Sequence, residues 1–191
     1  MKKKLEKKLK ISFVGDNDKE LSHLTDIYVK QNSKDLKEKD NAKIIYTTIT
    51  NTKYELKIYK FTNNDERHIS FIQDSQAIFI TFDLSDRKSF DRFYDYWIMW
   101  LRDTCKYEGL IIILGNYTKE NENNLCTNDD EINSRITLSE VTAKYEKIGG
   151  MDDDQIVELF NSLMKEADEH DMRMEKNDDN HGDSLRKCII W

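Results

Sequence analysis

Short apolar segments recur along the chain between longer polar or amphipathic stretches. Six of them are rich in β-branched, aromatic and aliphatic residues, which is typical of strands, and they cover residues 9–14, 43–50, 53–60, 77–82, 110–114 and 136–141. The second and third are joined tightly at Asn51-Thr52, which predicts an antiparallel hairpin. The runs 77–80 and 110–114 are continuously apolar, as in central strands that are covered on both faces.

Two of the intervening segments have apolar side chains at helical spacing. Residues 85–106 begin with capping candidates and carry Phe90, Phe93, Tyr94, Trp97, Trp100 and Leu101, while residues 153–169 carry Ile156, Leu159, Phe160, Leu163 and Met164. Strands that alternate with helices predict an α/β domain. We therefore expect a six-stranded, mostly parallel sheet with helices on both faces, in three layers.

Composition divides the chain into one domain and two terminal extensions. At 191 residues the chain is long enough for one domain with a substantial core. Residues 1–8 form a basic N-terminal arm, residues 9–170 carry the alternating pattern, and residues 171–191 are predicted as a flexible tail. Within the domain, residues 116–135 are polar and are predicted as a loop region with one weak helix.

Charge and hydropathy narrow the classes of function. With 38% hydrophobic and 35% charged residues, the composition is that of a globular protein. The net charge of -7 argues against a general nucleic-acid binder, which would need a dominant basic face. No apolar run reaches the ~18 residues of a membrane-spanning helix, and residues 1–10 lack the apolar segment of a secretory signal. An intracellular, cytoplasmic protein is therefore expected.

Cysteine and histidine offer no recognisable site. Cys105, Cys126 and Cys188 are scattered and odd in number, so neither a disulfide framework nor a zinc site is predicted. None of the four histidines has a nucleophile or an acid at a recognisable spacing in the sequence. They are His23, His68, His170 and His181. No catalytic residue is assigned.

The turn after the first predicted strand lies where a phosphate could bind. It reads Val14-Gly-Asp-Asn-Asp-Lys-Glu-Leu-Ser-His23 and is followed by helix-like residues. A strand, a glycine turn and a helix N-terminus together can hold a phosphate through backbone N–H groups. The residue types alone favour a turn role for Gly15 and a helix-capping role for Ser22 over ligand binding.

The order of these segments resembles that of the Ras/Rab small GTPases. The stretch Ala77-Ile-Phe-Ile-Thr-Phe-Asp-Leu-Ser-Asp-Arg-Lys-Ser-Phe90 is similar to the fourth strand and following helix of that family. Residues 110–116 resemble the strand that leads to the guanine-reading loop, and Thr142-Ala143-Lys144 resembles its S-A-K loop. The resemblance covers residues 9–170 and implies a P-loop small-GTPase-like fold. It also implies nucleotide-binding roles for Gly15, Ser22, Asn116, Thr142, Ala143 and Lys144, with Ser22 on magnesium if a nucleotide binds.

Each nucleotide motif of that family is degenerate in this chain. In G-x-x-x-x-G-K-[ST], Glu20 replaces the second glycine and Leu21 replaces the lysine. Residues 36–39 lack the threonine that closes over magnesium. The other departures are at the D-x-x-G motif, where Lys60 and Asn63 replace the aspartate and glycine and Asn64 follows, and at N-K-x-D, where Tyr117 and Lys119 replace the lysine and aspartate.

The turn carries negative charges that would repel a polyanion. Asp16, Asp18 and Glu20 surround the expected phosphate position, and only Lys19 opposes them. Since each lost charge-assisted contact is worth roughly 1.5–3 kcal/mol, nucleotide affinity should fall by several orders of magnitude.

The last four residues resemble a prenylation signal. Cys188-Ile-Ile-Trp191 has the form C-a-a-X, although tryptophan is an unusual terminal residue. One lipid chain gives marginal membrane binding and usually needs a second signal. Arg186-Lys187 and the lysines of the basic N-terminal arm are candidates for that signal.

Three functions are compatible with these features. The first is a pseudo-GTPase at the cytosolic face of a membrane, a trafficking or signalling module that binds a protein effector or complex and needs no cofactor. The second is a divergent but working GTPase that uses GTP or GDP with magnesium. The third is a fixed subunit of a larger assembly that presents the helix bearing Trp97 and Trp100. Nucleic acid is not expected as a partner.

Overall fold

The chain folds around one seven-stranded, mostly parallel sheet of the α/β class. A computed structural model describes residues 6–32, 36–39 and 42–186. The strands are β1 (Glu6–Val14), β2 (Lys37–Lys39), β3 (Ala42–Ile49), β4 (Thr52–Phe61), β5 (Ala77–Asp83), β6 (Leu110–Asn116) and β7 (Ala143–Lys147). Their order across the sheet is β2-β3-β4-β1-β5-β6-β7. The pairs β2–β3 and β3–β4 are antiparallel, and the remaining pairs are parallel.

Helices connect the strands. They are α1 (Asp18–Asn32), α2 (Ile69–Gln73), α3 (Arg87–Arg92), α4 (Asp129–Ser139) and α5 (Asp153–Arg186). Helix α3 continues into two π-helical segments, Phe93–Ile98 and Trp100–Thr104, which together complete the predicted helix 85–106. Helix α5 continues to Arg186, well into the predicted tail, and β1 begins at Glu6 within the predicted basic arm.

The helices cover both faces of the sheet. On one face, α1 and α5 pack on the strands in a cluster where the rings of Phe13 and Phe160 lie 5.7 Å apart. On the other face, α2, α3 with its π-helical continuation, and α4 pack on a second cluster, where Phe82 and Phe93 stack at 4.6 Å. The alternation of apolar residues along β1 and β5 sends successive side chains into the two clusters.

The predicted hairpin is confirmed. Strands β3 and β4 are antiparallel, with Ile49 opposite Thr52. The two connecting residues, Thr50 and Asn51, both have positive φ, at 45° and 69°. Positive φ at both central positions suits the right-handed twist of the flanking strands.

Two strand predictions are wrong. Residues 136–141 are not a strand, because residues 136–139 form the last turn of α4 and the final strand is β7. A short apolar run does not distinguish a strand from a helix turn, and here Leu138 is 70% exposed. The predicted six strands omit β2, whose three residues are all exposed and therefore carry no hydrophobic signal.

Candidate functional site

The sheet has a crevice between the carboxyl ends of β1 and β5. Helix α1 leaves β1 on one face and α3 leaves β5 on the opposite face, and ligands of open α/β sheets bind at such a point. A cavity of about 520 Å³ lies there. Its charged lining consists of Asp16, Asp18, Glu20, Asp83 and Asp86 together with Lys19, Lys88 and Arg92.

Gly15 lets β1 and β5 approach each other at the floor of this crevice. A Cβ atom at this position would lie 2.4 Å from Thr81 Oγ1 and 3.0 Å from the Thr81 carbonyl oxygen. Thr81 is buried and its Oγ1 has no hydrogen-bond partner in the described structure. Packing alone therefore requires a glycine here, whether or not a ligand binds.

The turn between β1 and α1 is too short to wrap around a phosphate. Helix α1 begins at Asp18, so only residues 15–17 connect it to β1. Asn17 Oδ1 accepts hydrogen bonds from the backbone N–H groups of Lys19 and Glu20, at 3.2 and 3.3 Å. These N–H groups are the donors that an anion at a helix N-terminus would use. The side chain of Asn17 already occupies them.

Glu20 places a carboxyl group inside the crevice. Burial raises the pKa of Glu20 above its ordinary value, the Asn116 side chain lowers it in part, and the charge of Asp83 raises it again. Glu20 Oε1 is buried without a hydrogen-bond partner among the described residues. The crevice therefore contains a protein carboxyl group that is poorly solvated and close to Asn116 and Asp83.

Asp16 ties the turn to the helix on the opposite face. Arg92 binds it through two hydrogen bonds of 2.6 and 3.0 Å. The indole Nε1–H of Trp97 donates to the same carboxylate at 3.1 Å, and Trp97 is only 1% exposed. Arg92 also lies over the ring of Tyr96 at 4.2 Å. The hydroxyl of Tyr96 accepts a hydrogen bond from the backbone N–H of Asn64.

Lys60 places a fixed cation at the start of α1. Its Nζ donates to Ser22 Oγ at 2.7 Å and forms an ion pair with Asp18 at 2.7 Å. Because Lys60 is near the end of β4, these contacts join β4 to the first turns of α1. The neighbouring Leu21 is fully buried in the core and points away from the crevice.

An aromatic ring fills the space beyond β6. Asn116 ends this strand, and its Oδ1 accepts the backbone N–H of Tyr117 at 2.9 Å. Cβ atoms at Gly149 and Gly150 would lie 2.0 and 3.1 Å from atoms of Tyr117. Tyr117 therefore packs directly on the two glycines that follow β7. The importance of these glycines is not visible from motif matching, although a Gly-Gly pair between a strand and a helix signals a turn.

The structure does not bring all the predicted nucleotide-binding residues together. Gly15 directly precedes Asp16 of the crevice lining, and Asn116 lies next to Glu20, but Ser22 contacts Lys60 and is not part of the lining. Thr142 and the first residues of β7, Ala143 and Lys144, lie at the opposite, amino-terminal end of that strand. The predicted S-A-K loop is thus part of a strand, and Lys144 forms ion pairs with Glu146 and Glu166. Residues 148–150 form the turn after β7.

Two of the remaining degenerate positions, Asn63 and Lys119, are not in the lining of the crevice. Asn63 caps its own turn by accepting the backbone N–H of Asp65, and Lys119 is exposed at the start of a 3-10 turn. Cys188 is outside the described residues. Within the described ranges, no three His, Cys, Asp or Glu side chains are grouped as metal ligands.

No family model and no curated protein matches this chain. In the described part of the chain, none of the helices combines the length and the apolar character that crossing a bilayer requires.

Proposed function

We propose that this protein is a small-GTPase-like interaction module with weak or no GTP binding and no efficient hydrolysis. Under this proposal the fold is of the three-layer P-loop small-GTPase type. The protein is tethered to the cytosolic face of a membrane through Cys188 and binds a protein effector or complex in trafficking or signalling. The crevice is a vestige whose subsites are filled by the protein's own side chains.

The observation that carries this proposal is the position of Lys60. Its ammonium group bonds Ser22 Oγ and the carboxylate of Asp18. In the family that the sequence resembles, the residue matching Ser22 holds magnesium and the residue matching Lys60 is an aspartate. If the resemblance holds, a cation of the protein itself would stand where that family has its metal. A divalent ion beside it would meet a like charge and would have to break both contacts.

Two further side chains support the same conclusion. Glu20 brings a carboxyl group into the crevice beside Asn116 and Asp83, where it would repel phosphate oxygens, and burial raises its pKa. Tyr117 packs on Gly149 and Gly150, in the region where a base would be held. A bound nucleotide would thus meet Glu20 with its phosphates, Lys60 with its metal and Tyr117 with its base. Restoring one motif residue should therefore not restore nucleotide binding.

Thermal denaturation with nucleotides tests the proposal. A ligand that binds the folded state stabilises it by about 2.7 kcal/mol at a hundredfold excess over Kd. We expect no shift of the melting temperature with GTP, GDP or ATP at millimolar concentration, with or without Mg²⁺. A magnesium-dependent rise with GTP but not with ATP would overturn the proposal and identify a working GTP-binding protein.

A further inference from the structure

The face of the sheet that carries α2, α3 and α4 is only partly covered by these helices. Those helices pack over β5 and β6 and over the ends of β1 and β4. On the same side, the side chains from the amino-terminal half of β1, from residues 53–57 of β4 and from Tyr46 and Thr48 of β3 are exposed or partly exposed, whereas Ala42, Ile44 and Tyr59 are buried. On β4 the pattern is clear, since Lys53, Glu55 and Lys57 alternate with the buried residues Tyr54, Leu56 and Ile58. This region is an uncovered sheet surface in an otherwise three-layered protein.

Lysines dominate this surface, which we call the lysine face. It consists of Lys8 and Lys10 on β1, Lys53 and Lys57 on β4, and Lys37 and Lys39 on β2. Strand register places them side by side, because Lys10 is opposite Lys57, Lys57 is opposite Ile44, and Ile44 is opposite Lys37. Neighbouring strands lie about 4.8 Å apart, so these lysines lie on one side of the sheet within a few strand spacings of one another, with Ile44 between Lys57 and Lys37.

Few carboxylates of the described residues neutralise Lys8, Lys10, Lys37, Lys53 and Lys57. Lys10 pairs with Asp74 at 3.0 Å, and Glu55 is opposite Lys8 in the register. Among the described residues, Lys8, Lys53 and Lys57 have no ion pair, and Lys37 contacts the ring of Tyr46 at 5.5 Å. This concentration of positive charge occurs in a chain with a net charge of -7. Positive charge is therefore segregated onto one surface.

We propose that the lysine face docks onto an anionic lipid bilayer. All six basic residues are lysines and none is an arginine, so the surface offers point charges and not the bidentate forks that read phosphates individually. Its exposed aromatic residue, Tyr46, already contacts Lys37 and Glu55, which leaves no platform on which bases could stack. Several lysines on one side of the sheet suit the many anionic headgroups of a bilayer.

This inference deepens the proposed membrane tethering, for which it supplies the second signal that one lipid chain requires. It does not depend on Cys188 being modified or on the state of the nucleotide crevice. Co-sedimentation of the unmodified full chain with vesicles can therefore fail or succeed independently of the nucleotide test. The vesicles contain phosphatidylcholine alone or phosphatidylcholine mixed with phosphatidylserine.

We expect binding only to the phosphatidylserine vesicles, with affinity that decreases as salt is raised. Since each lysine near an anionic surface is worth about a fivefold change in partitioning, Lys53→Glu/Lys57→Glu should weaken binding by at least tenfold. The charge-matched control, Lys30→Glu/Lys106→Glu, changes two exposed lysines outside the lysine face and should bind like the wild type after correction for net charge. Circular dichroism checks that both variants fold.

Three results would overturn the inference. They are equal binding to both kinds of vesicle, equal loss of binding in the two double variants, and binding to a single-stranded RNA homopolymer without binding to phosphatidylserine vesicles. The last result would assign the lysine face to nucleic acid.

Discussion

The substitution Gly15→Ala tests whether the glycine of the β1–α1 turn is held by packing. The new Cβ would lie 2.4 Å from Thr81 Oγ1 and 3.0 Å from the Thr81 carbonyl oxygen. The first distance is about an ångström shorter than a normal contact, so a strand must shift. Thr81 is buried between β1 and β6, which leaves it little room to move. Overpacking of this kind costs typically about 1–3 kcal/mol, and we expect the upper half of that range.

Thr81→Ala supplies the matched partner for a double-mutant cycle. Thr81 Oγ1 makes no hydrogen bond in the described structure, so its removal breaks none. The single Thr81→Ala change should cost about 1 kcal/mol for the lost methyl group. In the double variant the 2.4 Å clash disappears and only the contact with the carbonyl oxygen remains. The two changes should therefore couple by about 1–2 kcal/mol, within the range of residues in contact.

Urea denaturation followed by tryptophan fluorescence measures each free energy of unfolding. Trp97 is buried and bonded to Asp16 beside the turn, so its emission reports on this region. Additive effects of the two substitutions, or a Gly15→Ala variant as stable as the wild type, would refute the packing explanation. Gly15 would then have to be explained by a ligand.

Three further predictions concern charges in and near the crevice. Glu20→Gln should stabilise the protein at pH 7 by about 1 kcal/mol, since it removes a buried carboxylate without adequate partners. Burial raises the pKa of Glu20 above its ordinary value of 4.5. The stabilisation by Glu20→Gln should therefore disappear as the pH falls below 4.5. Urea titrations at pH 7 and below pH 4.5 measure this change. Lys60→Asp places a carboxylate beside Asp18, and Mg²⁺ should then raise the melting temperature. The control Lys43→Asp removes the ion pair between β3 and Asp26 of α1, and Mg²⁺ should not raise its melting temperature. Asp16→Ala should cost about 1–3 kcal/mol by leaving the Trp97 indole N–H unpaired, and Asp16→Asn, which keeps an acceptor, should cost less in the same urea assay.

The strands that carry a hydrophobic signal are the ones that the sequence predicts well. Strands β5 and β6 are continuous apolar runs, and the β3–β4 hairpin follows from two alternating runs with a tight connection. Strand β2 is exposed along its whole length, so only its pairing with β3 defines it. The apolar run 136–141 is too brief for a decisive period, so the sequence predicts a strand where the structure has the last turn of α4. The Asn128 cap, which accepts the N–H of Glu131, begins the actual helix inside the predicted loop.

For the candidate site, the sequence predicts which motif residues are absent, but not what replaces them. The loss of a lysine at Leu21 is visible directly, and its burial in the core agrees with its apolar character. That Lys60 reaches Ser22 depends on β4 lying beside β1 and α1, which is a contact between distant parts of the chain. The packing of Tyr117 on Gly149 is likewise a tertiary contact without a local signal. Because the sequence predicts the last strand at residues 136–141, it places Lys144 in the following loop, whereas the structure has Lys144 in β7.

The nucleotide content of the purified protein tests the central claim most directly. The protein is denatured by heat, and the supernatant is separated by ion-exchange chromatography and compared with guanine nucleotide standards. The contacts already made by Lys60, Glu20 and Tyr117 predict no guanine nucleotide above trace level. One GDP or GTP per protein molecule would contradict the account.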